Sequence, residues 1–196
     1  VFWEIELDTI EESGMREILE MQKKEANKLF ADFIEDNYLD WLNGTEEAPL
    51  MIQNVIKNKI APKIGSEKIA VLLIDNLRYD QWKMIEPIFI KYFVKDEEEI
   101  VYSILPTATQ YARNAFFAGL LPSEIEKRFP QLWKNEDDEG GKNMHEQDFL
   151  EAHLKRLGKN VKWSYNKITK VEAGKKLSEQ FHLIKENDVN FIVYNF

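Results

Sequence analysis

The sequence predicts an α/β protein in which a helical segment precedes the first part of a parallel β-sheet domain. Residues 11–42 carry apolar side chains at helical spacing, Ile69–Ile74 is an unbroken apolar run, and helical and strand-like segments alternate after it. An unbroken apolar run is typical of a strand buried on both faces, and alternation of strands with helices predicts a parallel sheet. We therefore expect a helical bundle and linker region at residues 1–65 and a truncated sheet domain at residues 66–196.

The N-terminal region is dominated by one long amphipathic pattern. Its apolar side chains recur every three or four residues, charged residues fill the other face, and Asn43-Gly44 ends the pattern. The apolar stripe consists of Met15, Ile18, Leu19, Ala26, Leu29, Phe30, Phe33 and Ile34. A stripe of this length needs a partner surface, so we expect a helical bundle or a dimer interface. Met51–Ile60 predicts a further short helix that ends before Pro62.

Four strands are predicted after Gly65. They are Ile69–Ile74, Ile100–Ile104, an alternating segment from Val161 to Tyr165, and Phe191–Tyr194. The predicted helices cover residues 81–94, Thr109–Phe117 with Gly119 as its C-terminal cap, a short helix from Pro122, a helix from Phe149 that Gly158 ends, and a helix from Leu177 to Ile184. Residues 134–146 are predicted to be a polar loop. Because ligands bind at the carboxyl ends of parallel strands, we expect a site after the first two strands.

The composition excludes several classes of function. The net charge is −9, from 35 acidic and 26 basic residues, which argues against extended nucleic-acid binding and against an anionic membrane surface. It leaves room for a small pocket that binds one phosphodiester. The absence of cysteine excludes disulfides, thiolate nucleophiles and thiolate zinc sites. No run is apolar enough for a membrane span and the first residues are unlike a signal peptide, so we expect a cytoplasmic location.

Two short segments carry the candidate site residues, one after each of the first two predicted strands. The first is Asp75-Asn76, and the second runs from Ser103 to Arg113. A carboxylate at the end of a buried strand suits a divalent metal, and the start of a helix favours an anion. The Thr109 hydroxyl at that start could attack phosphorus. Arg113, one turn further on, could pair with a phosphate or with a supporting carboxylate.

Each of these residues also has a purely structural interpretation. Asp75 could cap a turn, Thr109 could be a helix N-cap, and Arg113 could belong to an ordinary ion pair. The three histidines lack the spacing of metal ligands, and we interpret them as structural or surface residues: His145, His153 and His182. The residues alone therefore indicate an α/β sheet with a phosphate or metal site and leave these alternatives open.

The second segment, taken with Asp75, resembles the opening of the PglZ domain in the alkaline-phosphatase superfamily. The residues that carry the resemblance are Ser103, Leu105, Pro106, Thr107, Thr109, Arg113, Ala115, Gly119 and Pro122. Part of the pattern is also similar to nucleotide pyrophosphatase/phosphodiesterase enzymes. The resemblance covers about residues 67–196 and implies an alkaline-phosphatase-like sheet domain that hydrolyses phosphodiesters, such as nucleotides or oligonucleotides.

The same resemblance implies two zinc ions and a role for each candidate residue. Asp75 would be a zinc ligand, and Thr109 would be the nucleophile that also contacts a zinc, with Thr107 as the fallback. Asn76 and Arg113 would stabilise the developing negative charge. The further Asp-x-x-x-His and Asp-His ligand motifs of the superfamily do not occur in this sequence. We therefore expect this fragment to bind zinc poorly by itself and to be inactive.

The N-terminal region resembles the middle region of PorX-like response regulators. Trp3-Glu4-Ile5 and the end of the long helix, from Phe33 to Trp41, carry this resemblance. It implies two-component signalling that controls type IX secretion, with a receiver domain in the same full-length chain. A sensor kinase and a sigma factor or secretion-system regulators would then be partners. The alternative function is non-catalytic: the helical part would form a homodimer and the α/β part would dock a signalling partner.

Overall fold

The computed structural model describes residues 13–45, 47–135 and 137–195, which contain seven α-helices and three strands. The helices are α1 (Ser13–Leu42), α2 (Tyr79–Phe89), α3 (Thr109–Ala118), α4 (Pro122–Arg128), α5 (Glu146–Arg156), α6 (Val171–Glu179) and α7 (Phe181–Ile184). The strands are β1 (Ile69–Asp75), β2 (Trp163–Ile168) and β3 (Val189–Asn195). The predicted α/β fold class is therefore confirmed. The predicted first two residues of the long helix lie outside the described residues.

Tertiary contacts divide the chain into two compact units. The first contains the described residues up to Pro49 together with Arg78–Glu98, and so it holds α1 and α2. The second contains Leu50–Leu77 and the described residues from Glu99 onward, and so it holds the sheet and the other helices. None of the helices among the described residues combines the length and the hydrophobicity that a membrane span requires.

The long helix of the first unit exposes much of its apolar stripe. Its exposed large apolar side chains are Met15, Ile18, Met21, Leu29, Phe30, Phe33 and Leu39. Phe33 is the least exposed of them, at 44%. Its ring lies edge-on to that of Trp41, with 5.5 Å between centroids. The helix therefore presents apolar side chains to solvent along most of its length.

The three strands of the second unit form a parallel sheet in the order β1-β3-β2. β3 lies in the centre, and its register places Asn195 beside Asp75 of β1. Successive side chains of a strand point to opposite faces, so every second residue faces the same way. Ile69, Val71 and Leu73 of β1 pack on the core, which puts the next residue of that series, Asp75, on the same face.

The core lies between this face of the sheet and the helices α3 and α5. Phe117 of α3 and Phe149 of α5 are almost fully buried, as is Phe191 of β3. The ring of Phe117 lies edge-on to Tyr165 at 5.5 Å and to Phe191 at 6.2 Å. Small residues on α3, such as Ala115, are completely buried and allow the helix to approach its neighbours closely. This packing fixes α3 beneath the sheet.

One predicted strand is wrong, and two other segments differ in detail. Ile100–Ile104 does not form a strand, because only Tyr102 makes an isolated parallel bridge, to Met51. Ile100 is 81% exposed, so its β-branched side chain has no sheet to pack against. Met51–Ile60 is helical but irregular, with a 3-10 turn at Ile52–Asn54 followed by a π-helical turn. The predicted polar loop ends one residue early, since its last residue begins α5.

Candidate functional site

In each of the three strands, every second side chain faces the core, and the last of these core-facing side chains is polar. Asp75 follows Leu73 on β1, Asn195 follows Val193 on β3, and Lys167 follows Tyr165 on β2. Because the strands are parallel, these side chains meet at the carboxyl edge of the sheet, where ligands bind in α/β folds. On this face of the sheet, the apolar side chains are therefore followed by one cluster of polar side chains at the carboxyl ends of the strands.

Arg113 of α3 joins the ends of β1 and β3. Its Nη1 donates to Asp75 Oδ2 and to Asn195 Oδ1, in both cases at 3.0 Å. Its Nε and Nη2 donate to the two carboxylate oxygens of Glu146, each at 2.7 Å. The side chain is only 6% exposed, so the pair with Glu146 is a buried, bidentate ion pair. Of the interpretations the sequence left open for Arg113, pairing with carboxylates is the one observed.

Glu146, the first residue of α5, accepts hydrogen bonds from three side chains of the site. Besides Arg113, the Tyr165 hydroxyl donates to its Oε2 at 2.5 Å and Lys167 Nζ donates to the same oxygen at 3.0 Å. Its side chain is 1% exposed. A buried carboxylate is costly unless it is paired and hydrogen-bonded, and here two cations and a hydroxyl satisfy it.

The ionisation of the cluster follows from these contacts. Burial lowers the pKa of Arg113, but the hydrogen bonds and negative charge of Glu146, together with Asp75, outweigh burial, and the net pKa is raised. Burial and the hydrogen bond to Glu146 raise the pKa of Tyr165 well above its usual range. The guanidinium therefore stays charged and the phenol stays protonated at neutral pH, as the hydrogen-bond directions require.

The candidate threonines lie at the start of α3. Thr109 is its first residue, and the N-cap position is Ala108, which forms no side-chain cap. The alternative that Thr109 is an N-cap is therefore wrong. Thr109 is half-buried and Thr107 is exposed. Asn76, which follows Asp75, is exposed and adopts a left-handed conformation with φ of 63°. Asn is one of the few residues that adopts this conformation readily, and it turns the chain away from the strand.

A loop is tied to the start of α3 through Asn143. Its Nδ2 donates to the carbonyl oxygen of Thr109 at 3.2 Å and to Asn114 Oδ1 at 3.3 Å. The carbonyl oxygen of Asn143 accepts from Lys167 Nζ at 3.0 Å, and Asn114 Nδ2 donates to the carbonyl of Lys142. The end of the polar loop is therefore fixed between α3 and β2.

The histidines have structural or surface contacts. His153 on α5 is buried, and its Nδ1 lies 3.1 Å from the carbonyl oxygen of Phe117. Burial, with the nearby charge of Arg156, lowers its pKa to about 4. His145 is paired with Asp148, and His182 is exposed on α7. Among the described residues, no group of three or more His, Asp or Glu side chains could hold a metal ion.

Asp75 and Thr109 supply the type of donor atom that a divalent cation prefers, but two residues are too few to complete its coordination. Both supply hard oxygen donors, and no hydrogen bond within the described residues reaches Asp75 Oδ1, although Oδ2 accepts from Arg113. A hydrogen-bonded ligand carboxylate is the usual arrangement around a protein-bound metal. Zinc takes about four ligands, so a complete site needs donors beyond these two residues.

The family of the chain follows from comparison with known proteins. A family model described as the BREX system PglZ alkaline phosphatase-like domain matches residues 55–196. The chain belongs to the PglZ family. A second family model, the PorX response regulator linker domain, matches residues 1–42, so a PglZ domain and a regulator-type linker occur in one chain. No curated protein matches the chain. Both matches confirm the expected combination of domain families, and the PglZ match supports hydrolase chemistry of the alkaline-phosphatase type.

Four members of the cluster at the carboxyl edge were not predicted from the sequence. They are Glu146, Tyr165, Lys167 and Asn195. Three of them lie on strands, where every second residue faces the same side of the sheet. Their positions could therefore have been predicted by extending this alternation beyond each apolar run. Glu146 carries no such signal, because it stands at the end of a polar loop where an exposed side chain is expected. Only the fold places its carboxylate beneath α3 and β2.

Proposed function

We propose that the PglZ domain of this protein is a phosphodiesterase in which Thr109 attacks phosphorus. The observation that carries the proposal is that α3 provides both Thr109 at its first position and Arg113, which binds Asp75. One rigid helix therefore links the hydroxyl and the strand-end carboxylate. Nucleotides or oligonucleotides are the proposed substrates, and the alkaline-phosphatase-like family supports phosphoric-ester chemistry.

The reaction would use the start of α3 as an anion site. The first N–H groups of a helix have no carbonyl partners within it, and here no side chain caps them. They would bind the phosphoryl oxygens and stabilise the charge that develops during attack, with the exposed Asn76 amide as a further donor. A bond forms between Thr109 Oγ1 and phosphorus, the ester P–O bond breaks, and the proton passes to the leaving alcohol. Water then hydrolyses the phosphothreonine and regenerates the hydroxyl.

Two zinc ions are the proposed cofactors. Asp75, through the oxygen that Arg113 does not bind, and Thr109 would be two of their ligands, and the remaining ligands would come from outside the described residues. Bound zinc would supply Lewis-acid activation of the phosphoryl group and of a water molecule. The chain taken alone is therefore proposed to be inactive.

Substitution of Thr109 by Val in the full-length, zinc-loaded protein tests this assignment. The side chains have the same shape, so the loss of the hydroxyl should reduce hydrolysis of a model phosphodiester by about a thousandfold or more. Thr107→Val is the matched control and should retain activity within about tenfold. Unchanged hydrolysis by Thr109→Val would remove its role, and loss of activity in Thr107→Val alone would transfer that role to Thr107.

We also propose that α1 pairs with α1 of a second copy of the chain. The specific observation is the exposed apolar stripe of α1, where Leu29 is 60% and Phe30 55% exposed. The matching linker family supports a regulator that signals through a receiver domain in the same chain, and a cytoplasmic location with a sensor kinase and secretion or transcription regulators as partners fits that role. Light scattering should give a dimer mass for the protein and a monomer mass for Leu29→Glu. The polar-face control Lys28→Glu should remain a dimer. A dimer that persists in Leu29→Glu would contradict this interface.

A further inference from the structure

Four of the five N–H donors of Arg113 bond to oxygens of the protein. Its Nε and Nη2 donate to Glu146, and its Nη1 donates to Asp75 and Asn195. The side chain is only 6% exposed. An arginine that binds a substrate phosphate must present its donors to the pocket from which the substrate enters. Each nitrogen of Arg113 is instead already engaged with an oxygen of the protein.

Glu146 holds this guanidinium in one orientation. The bidentate contact fixes the plane of the guanidinium, because both nitrogens bond to one carboxylate. Glu146 is itself fixed by Tyr165 and Lys167, which extend from β2. The two strands β1 and β2 are therefore linked through one chain of charge-assisted hydrogen bonds, which runs from Lys167 through Glu146 and Arg113 to Asp75.

We infer that Arg113 and Glu146 are positioning residues that orient the Asp75 carboxylate for a divalent cation and make no contact with the substrate. Arg113 binds Oδ2 of Asp75, and no hydrogen bond from the described residues reaches Oδ1, so Oδ1 is the oxygen available to a cation. Outer hydrogen-bond partners of this kind fix the geometry of metal ligands and raise metal affinity. The role of Asp75 in this inference rests on the proposed function.

Glu146→Gln and Arg113→Lys test the inference through zinc binding. In the metal-stripped full-length protein, calorimetry should find zinc affinity reduced about ten- to a hundredfold in either variant. The KM for a model phosphodiester should stay within about twofold, because neither residue contacts substrate. Lysine cannot form the bidentate pair, so it should not rescue zinc affinity. Glu151→Gln, on the exposed face of the same helix, is the matched control and should bind zinc as the unmodified protein does.

Two results would overturn the inference. One is unchanged zinc affinity in a folded Glu146→Gln protein. The other is an Arg113→Lys protein with normal zinc affinity and a KM raised tenfold or more, which would make Arg113 a substrate contact. If Glu146→Gln does not fold, Tyr165→Phe removes one donor to the same carboxylate, and it should weaken zinc binding by a smaller factor; an unchanged affinity would count against the inference.

A measurement without zinc or turnover separates this inference from the proposed function. In a 15N NMR spectrum, the Arg113 Nε–H signal should be protected from exchange, should shift in Asp75→Asn, and should not move when inorganic phosphate is added. A saturable shift with phosphate, or no response to Asp75→Asn, would overturn the positioning role. If the unmodified protein neither binds zinc nor hydrolyses a diester, the proposed function fails, and this spectrum still decides what Arg113 contacts.

Discussion

Gly119 is the position where the addition of one methyl group should have the largest effect. It is the C-terminal cap of α3 and has a φ of 60°, and its N–H donates to the carbonyl of Ala115 at 2.8 Å. A Cβ atom built on it would lie 2.1 Å from Cε1 and 2.2 Å from Nε2 of His153. The His153 ring is buried and hydrogen-bonded to the carbonyl of Phe117, so it has no free space to enter.

Two contributions set the expected cost of Gly119→Ala. A non-glycine residue in the left-handed region costs about 1–2 kcal/mol. Overpacking against the fixed ring of His153 adds about 1–3 kcal/mol. The free energy of unfolding should therefore fall by about 2–5 kcal/mol. This is a large part of the total stability of an ordinary domain, which is about 5–15 kcal/mol.

Urea unfolding followed by circular dichroism measures this change, and Gly158→Ala is the matched control. Gly158 has a φ of 68° but no heavy atom lies within 4 Å of the position of its Cβ, so it should lose only about 1–2 kcal/mol. In a His153→Ala background, Gly119→Ala should also cost only that conformational part. Equal losses for the two glycine variants, or no relief in the His153→Ala background, would refute the proposed contact.

Three further predictions concern stability. Burial and the charge of Arg156 lower the pKa of His153 to about 4, so the unfolded state binds a proton first as the pH falls. Stability should be complete above about pH 6.5 and should fall by about 3 kcal/mol towards pH 4, a dependence that denaturant titrations should no longer detect in His153→Gln. Phe117→Ala should cost about 3–5 kcal/mol by calorimetry, because its fully buried ring leaves a cavity. Glu151→Gln should change the free energy of unfolding by less than about 1 kcal/mol, since the pair with Lys155 is exposed.

The sequence predicts the regular elements well where local pattern and tertiary packing agree. The apolar run before Asp75 forms β1, and the helical spacing after Ala108 forms α3, closed by Gly119 as predicted. The prediction fails for Ile100–Ile104, because a β-branched run forms a strand only when a neighbouring strand accepts its hydrogen bonds. No local signal reports whether such a neighbour exists.

The site is less accessible to sequence reasoning than the fold. Asp75 and Arg113 stood out from their positions at the end of a strand and one turn into a helix, and they form an ion pair. The partner that organises them, Glu146, comes from a segment whose local composition predicts an exposed loop. A buried carboxylate can be identified only once the cations that compensate it are known to converge on it, and that depends on the assembled fold.

The strand order has a consequence for the synthesis of the protein. β3 is translated after β1 and β2, yet it lies between them and supplies every backbone hydrogen bond that joins them. A nascent chain on the ribosome that has released β1 and β2 alone therefore holds two strands with unpaired edges that do not pair with each other. Sheet formation must wait for the emergence of Val189–Asn195, and chaperone protection of the nascent chain is most valuable during that interval.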